Sequence, residues 1–167
     1  RRDFNLSKEL WIEEDDFMVE PIKGFFRLYP PMNGEAGSRV RLRHGFVLEC
    51  TGYDTDANGK VTAVHANYFP DSKSGTPESN NYKVKGNLHW VSAKEGIKAE
   101  IRVYDRLFTD PHPDSGDKNF LDAINQDSKQ ILNAYLEPSL KNAQAEQRFQ
   151  FERHGYFVAD RSDHTAA

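Results

Sequence analysis

The residues of this chain best suited to chemistry are arginines that alternate along a short apolar segment. Arg39, Arg41 and Arg43 occupy every second position, with Val40 and Leu42 between them. Because side chains of a β-strand point alternately to its two faces, this spacing places three guanidiniums on one face. A guanidinium donates paired hydrogen bonds to a phosphate or a base edge. The segment therefore predicts a face that binds an anion or a nucleic acid.

The same alternation also fits an exposed face whose positive charges are neutralised by acids on a neighbouring strand. Glu49 and Asp54 are candidate partners for that interpretation. A diffuse basic stretch beginning with Lys83 and Lys85 raises a similar choice. Together with Arg39, these lysines are candidates for contacts with an RNA backbone, and a solvated basic surface is the alternative. The pattern alone leaves both pairs of interpretations open.

A second candidate site lies near the end of the chain, at Gln150 and Arg153. A glutamine amide offers a donor and an acceptor to the edge of a uracil, and an arginine donates to its carbonyls or to a phosphate. In a flat strand these two side chains face opposite sides, so a shared pocket requires a bulge or twist near Glu152. The alternative assigns the phenylalanines of segment 149–157 to the core and Arg153 to a surface ion pair.

Elements for catalysis or metal binding are not found in the sequence. The segment 34–37 is too short for a phosphate-binding glycine loop and lacks the lysine and hydroxyl residue that follow such a loop. None of the six histidines forms the i, i+4 pair of a helical metal site, and no serine lies in a nucleophile elbow. Cys50 is alone, which excludes an internal disulfide. We expect no catalytic residue, metal or cofactor in this chain.

Composition indicates one or two small domains. The 167 residues are 37% hydrophobic and 29% charged, and 22 basic against 26 acidic residues give a net charge of −4. This balance argues against a general nucleic-acid coat but permits a local basic site, and the acidic run 13–16 carries much of the negative charge. No apolar run approaches the roughly 18 residues of a membrane span, and no signal peptide is visible. We expect a cytoplasmic protein that does not enter a membrane.

Short segments with period-two patterning predict an all-β fold with short helices. Asp56 to Gly59 supplies turn chemistry between two of them, so 39–69 is predicted as one long hairpin. Loops are predicted at 70–81 and 110–116, and one or two helical turns at 119–124. The predicted strands are 10–12, 39–50, 61–69, 88–91, 97–108, 131–136 and 148–158.

Two motifs in the middle of the chain carry a family resemblance. They are VKGNLHWVS at 84–92 and EIRVYDRLF at 100–108. Further motifs follow the same order, from Leu10-Trp11-Ile12 near the start to FQFER at 149–153. Together they resemble the C-terminal, anticodon-binding region of bacterial-type glutaminyl-tRNA synthetases, over nearly the whole chain.

The resemblance implies a particular domain organisation. It implies two small β-barrels, with a distal barrel inserted into a proximal one. The proximal barrel is expected to comprise 1–22 and 108–167, and the distal barrel 23–107. Members of the family continue beyond the end of this chain with residues that close the proximal barrel, so we expect that barrel to be truncated here.

The resemblance also implies which residues contact the anticodon. Arg41 and Arg43 fall on the two family arginines at the pocket for the first base. Gln150 and Arg153 fall on the pair that recognises the middle base, and Arg27 falls on the arginine that contacts the third base. The sequence departs from the family just before Arg27, at two positions where polar or basic side chains occur in the family: Gly24 and Phe26.

Enzymes of this family attach glutamine to its tRNA with ATP and Mg²⁺, in a catalytic domain that precedes this region. The implied partners are therefore the tRNA for glutamine and that domain, in a monomeric protein. A eukaryotic-type glutamyl-tRNA synthetase region is an alternative, because the middle-base pocket could be similar there. A barrel of the 5S-rRNA-binding ribosomal family and a protein-interaction barrel are further alternatives.

Overall fold

A computed structural model describes residues 5–165 and confirms the all-β class with short helices. The expected proximal barrel includes residues 1–4 and 166–167, which lie outside the described residues. The helices are single 3₁₀ turns at Glu14–Asp16, Pro70–Ser72, Pro77–Asn81, Phe120–Ala123 and Pro138–Leu140. The strands are β1 (Leu10–Trp11), β2 (Arg39–Leu42), β3 (Val47–Thr55), β4 (Val61–Phe69), β5 (Gly86–Leu88), β6 (Val91–Ser92), β7 (Ile97–Tyr104), β8 (Lys129–Leu136), β9 (Arg148–Phe151) and β10 (Gly155–Val158).

The largest sheet has four strands in the order β4-β3-β2-β5. Strands β2 and β3 are antiparallel, whereas β2 and β5 are parallel. Val40 and Leu42 of β2 are fully buried, as the alternating pattern predicts. They pack in the core against residues from β3, β5 and the adjoining segments: Leu28, Cys50, Leu88 and Trp90.

The remaining strands form three two-stranded antiparallel sheets, β1-β6, β7-β8 and β10-β9. Within residues 5–165 no sheet closes on itself, so the expected closed barrels are not found as continuous hydrogen-bonded sheets. The physical reason is that β4 and β5 are edges of the large sheet, and closure requires every edge strand to find a partner. No helix in this part of the chain has the length and apolarity needed to cross a bilayer.

The prediction of one strand over 39–50 is wrong, because a tight turn separates β2 from β3. The N–H of Leu42 donates to the carbonyl of Phe46, and the N–H of Gly45 donates to the carbonyl of Leu42, both at 2.8 Å. His44 adopts a left-handed φ of 59° within this turn. Segment 39–69 is therefore three antiparallel strands rather than one hairpin, and Arg43 lies in a turn at the end of β2.

The prediction of one strand over 148–158 is also wrong, because that segment is the hairpin β9-β10. Its turn contains Arg153 with a left-handed φ of 70°, and β10 begins directly after the turn at Gly155, which has a φ of 115°. Gln150 lies directly opposite Tyr156 in the ladder. A bulge or twist is expected near Glu152 for a shared pocket. The structure has a turn there, which reverses the chain between β9 and β10.

Other predicted elements are confirmed with small changes of boundary. The segments near 10–12, 61–69, 97–108 and 131–136 form strands, and 119–124 contains a 3₁₀ turn. The segment 88–91 is divided between β5 and β6. At 56–59 the backbone turns with Gly59 at a φ of 80°, and the Asp56 carboxylate accepts from the N–H groups of Asn58 and Lys60.

Candidate nucleic-acid interface

Asp16 joins two of the predicted site arginines. Its carboxylate is fully buried, and Oδ1 accepts from Nη1 of Arg27 at 2.6 Å and from Nη2 of Arg153 at 2.9 Å. Nη1 of Arg153 also donates to Oδ2 at 3.2 Å. Arg27 and Arg153, which are far apart in sequence, are thus brought to one carboxylate.

Local backbone pairing fixes the position of Asp16. Its N–H donates to the carbonyl of Glu13 at 2.9 Å, which closes the 3₁₀ turn, and its carbonyl accepts from the N–H of Leu28 at 3.0 Å. The N–H of Met18 in turn donates to the carbonyl of Leu28 at 3.0 Å. These bonds hold Asp16 next to the segment that carries Arg27.

Electrostatics at this junction favour the charged guanidinium of Arg153. Hydrogen bonding to Asp16 raises the pKa of Arg153 above its ordinary value, although partial burial opposes the shift. The carboxylate of Glu13 lies 3.4 Å from Arg153 and adds to the effect. Charged hydrogen bonds of this type are stronger than neutral ones and fix geometry.

Arg27 keeps donors available for a ligand. Its side chain is 34% exposed, and Nη1 makes the contact with Asp16 and a longer one of 3.4 Å to the carbonyl of Asp15. Among residues 5–165, no protein acceptor bonds to its Nε or Nη2. An aromatic base or a phosphate can therefore reach this guanidinium without displacing Asp16.

Arg41 supports a loop through backbone carbonyls. Nη1 donates to the carbonyl of Ser72 at 2.6 Å, and Nη2 donates to the carbonyls of Ser79 at 3.2 Å and Tyr82 at 3.3 Å. Ser72 is itself fully buried and accepts from the N–H of Val47 at 2.7 Å. Arg41 thus ties segment 70–82 to β2.

Arg39 is neutralised by an acid on the neighbouring strand, as one of the two interpretations of this face predicts. Its Nε donates to Glu49 at 2.5 Å, directly across the ladder, and its guanidinium lies 4.9 Å from the ring centroid of Phe69. Asp54, the other acid considered as a partner, contacts His65 at 2.8 Å instead.

Arg43 reaches from the β2-β3 turn to the β9-β10 turn. Its Nη1 lies 2.6 Å from Oε1 of Glu152, and the two side chains are 44% and 43% exposed. Its backbone is held on both sides, because its N–H donates to the carbonyl of Leu88 and its carbonyl accepts from the Trp90 indole. The guanidinium is therefore accessible on a rigid support.

Gln150 stands on the exposed face of the β9-β10 hairpin. Its ladder partner Tyr156 is 83% exposed. The other face carries three stacked phenylalanines, with ring centroids 6.3 Å apart for Phe149–Phe151 and 4.8 Å apart for Phe151–Phe157. Gln150 thus lies on a strand and Arg153 in the turn that follows, within one hairpin.

The two lysines predicted to follow an RNA backbone are exposed and lie on the segment leading into β5. The Lys85 ammonium lies 4.9 Å from the ring centroid of Phe26. In the described part of the chain Lys83 has no ion-pair partner. Both side chains can meet phosphates, and neither is held in a defined pocket.

The sequence patterns predict no role in the site for the acidic residues at the junction. From sequence the acidic run 13–16 contributes only negative charge. In the structure Glu13 contacts His154 at 3.0 Å and Arg153 at 3.4 Å, and Asp16 binds two arginines. One usable signal was the apolar Phe17 directly after the run, which places a neighbouring acid at a core boundary. From Asn5 to Thr165, no group of three or more metal-ligating side chains comes together.

Comparison with known proteins identifies the class. Two family profiles, both described as the anticodon-binding domain of class I tRNA synthetases for E and Q, match residues 1–69 and 87–160. The chain belongs to this family of anticodon-binding domains.

Within that family, the chain is similar to proteins described as glutamine–tRNA ligases. The chain is 74% identical over 162 residues to a glutamine–tRNA ligase of Polynucleobacter necessarius, covering 97% of this chain and 28% of that protein. It is 64% identical over 163 residues to the ligase of Ralstonia nicotianae, covering 98% of this chain and 27% of that protein. It is 51% identical over 162 residues to that of Nitrosomonas europaea, covering 97% of this chain and 28% of that protein. The chain therefore spans a little over a quarter of the length of these relatives.

Proposed function

We propose that this chain binds the anticodon loop of the tRNA for glutamine, as the recognition part of a glutamine–tRNA ligase. One observation carries the proposal: Arg27 and Arg153 converge on the buried Asp16, and Gln150 is exposed on the same hairpin as Arg153. Donors on a rigid support suit bases that are splayed out of their stack. Fixed arginines and an exposed amide supply such donors.

The proposed base contacts follow the family pattern. We assign the first base to Arg43 and to the loop supported by Arg41, the middle base to Gln150 and Arg153, and the third base to Arg27. The exposure of Arg43 and the free donors of Arg27 support these assignments. Contacts with the RNA backbone are assigned to the exposed basic side chains nearby: Arg39, Lys83 and Lys85.

The proposal extends to the whole protein and its organisation. The complete ligase joins glutamine to tRNA with ATP and Mg²⁺, which residues outside this chain bind, in a monomeric cytoplasmic protein. We also propose a distal unit over 23–107 and a proximal unit over 1–22 and 108–167. The four-stranded sheet lies inside the first range and the β9-β10 hairpin inside the second, while the β1-β6 and β7-β8 pairings connect the two ranges.

Binding of labelled tRNA by the 167-residue chain tests the proposal. We expect preference for the glutamine anticodon over single-base variants of it. If about three phosphates are contacted, the log–log dependence of affinity on salt has a slope of roughly −2 to −3. Equal affinity for all variants and for an unrelated hairpin contradicts the proposal and favours a shape-binding module.

Two further measurements define the limits of the function. The tRNA for glutamate in the same assay tests the glutamyl alternative, since the family profiles are described for both amino acids. We also expect no ATP–pyrophosphate exchange by this chain, because its sequence lacks a nucleotide-binding element. Exchange that disappears on substitution of a residue in this chain contradicts that expectation.

A further inference from the structure

The buried Asp16 carboxylate accepts hydrogen bonds from both Arg27 and Arg153. One oxygen, Oδ1, accepts from both guanidiniums, and the carboxylate is 0% exposed. A buried carboxylate is stable only when its charge is paired and its lone pairs are used. Both conditions are met here by two arginines from distant segments.

We propose that Asp16 is a positioning residue that couples recognition of the middle and third anticodon bases. It does so by holding Arg27 and Arg153 in one fixed arrangement. The inference rests on the proposed function, because it assigns the two arginines to neighbouring nucleotides. Asp16 itself has no exposed surface and does not touch the RNA.

The coupling follows from shared geometry. Two guanidiniums that meet at one oxygen repel each other, and the carboxylate between them offsets that repulsion. A base contact that strengthens or weakens the bond between one arginine and Asp16 changes the bond that Asp16 makes with the other. Linkage requires the effect to be reciprocal, so each base contact changes the free energy of the other.

The two arginines share the Asp16 carboxylate but bind it in different ways. Arg27 uses only Nη1 on the carboxylate, which leaves Nε and Nη2 for a ligand. Arg153 binds with a fork, through Nη1 and Nη2, and its left-handed backbone in the turn fixes where that fork begins. Orientation of both side chains is therefore established before RNA arrives.

The main experiment compares Asp16→Asn with Asp15→Asn in the full 167-residue chain. Both variants remove one negative charge from the same 3₁₀ turn, but Asp15 is exposed and Asp16 is buried. Binding is measured for tRNA with the glutamine anticodon and for variants changed at the middle base, at the third base or at both. The ratio of affinities reports base preference, while a purely structural role lowers all affinities alike.

We expect Asp15→Asn to keep wild-type preference at both bases. Asp16→Asn should lose a preference of about 5- to 150-fold at both bases, together with the non-additivity between them. Preference at both bases in a folded Asp16→Asn variant overturns the inference. A wild-type chain without preference at either base overturns the proposed function and the inference with it.

A second variant keeps the test decisive if Asp16→Asn does not fold. Arg27→Ala removes one partner of the carboxylate and leaves Asp16 in place. The inference predicts that the Arg27→Ala variant loses preference at the middle base as well as at the third. Without Arg27, Asp16 no longer holds Arg153 in the same position. A loss confined to the third base, in a variant with wild-type thermal melting, overturns the coupling.

Discussion

Arg43 and Glu152 form an ion pair of 2.6 Å that links the β2-β3 turn to the β9-β10 turn. These turns carry residues proposed for different bases, Arg43 for the first and Arg153 for the middle one. Because both partners are more than two-fifths exposed, water screens the pair and its net stabilisation is small. The carboxylate of Glu152 thus competes with an RNA phosphate or base for the guanidinium of Arg43.

Replacing Glu152 with Gln should strengthen tRNA binding. The substitution frees Arg43 at a cost of about 0.2–1 kcal/mol in stability, so affinity should rise by up to about fivefold. Fluorescence anisotropy at fixed salt measures the change. Glu146→Gln is the matched control, since Glu146 is an exposed acid before β9 that pairs with Arg161. An equal gain in both variants indicates general charge repulsion and contradicts a specific effect at Arg43.

The sequence predicted the buried positions of β2 better than the contacts that its arginines make. Alternation correctly placed Val40 and Leu42 in the core, but Arg43 lies in the turn after β2 and not on the strand with Arg39 and Arg41. It gave no information on partners, because the ion pair of Arg43 and the loop contacts of Arg41 arise from segments distant in sequence. The turns at 43–46 and 152–154 are not predicted for a local reason: their left-handed positions are His44 and Arg153 and not the neighbouring Gly45 and Gly155.

Replacing Arg41 with Ala should loosen segment 70–82 before it affects any base. Three carbonyls lose a bond from Arg41 in this variant, although that of Ser79 keeps the N–H of Tyr82. A buried group left unsatisfied costs about 1–3 kcal/mol. Hydrogen exchange should show faster exchange across the loop, with thermal melting lowered. Arg39→Ala is the control, because its exposed pair with Glu49 contributes less than about 1 kcal/mol. Unchanged exchange in Arg41→Ala contradicts the anchoring role.

Replacing Gly86 with Ala should destabilise the four-stranded sheet. An added Cβ at this position meets the carbonyl oxygen of Phe26 in hard overlap and the Val40 side chain at 3.2 Å. Backbone displacement of this kind costs about 1–3 kcal/mol or more. Gly52→Ala, where a Cβ meets nothing within 4 Å, is the matched control. Urea denaturation measures both, and equal midpoints contradict the close approach of β5 to Phe26.

Cys50 should resist alkylation in the folded chain. The residue is 1% exposed, and burial raises the pKa of its thiol above the ordinary value. Since the thiolate is the nucleophile, a raised pKa keeps the thiol protonated at pH 8, and reaction should accelerate only above the usual thiol range. Mass spectrometry after iodoacetamide treatment, with and without urea, measures the difference. Rapid alkylation without denaturant contradicts the burial of β3 in this core.

Replacing Gln150 with Ala should remove preference at the middle base without changing stability. The side chain is exposed on β9, so its loss leaves the stacked phenylalanines of the opposite face in place. If its amide pairs with the base edge, the discrimination lost is about 1–3 kcal/mol. Affinities for tRNA variants at the middle base measure this directly.

Arg148→Ala provides the control on the same hairpin face. Arg148 is exposed two residues before Gln150 and can meet a phosphate but has no assigned base. Its loss should weaken all tRNAs alike and reduce the salt slope by about one, since a phosphate contact carries no sequence information. Base preference that survives in Gln150→Ala but disappears in Arg148→Ala reverses the assignment. That result would assign recognition of the middle base to Arg148 at the start of β9 and not to the Gln150 amide. Both side chains lie on the same exposed face, so either one is placed to contact the base edge.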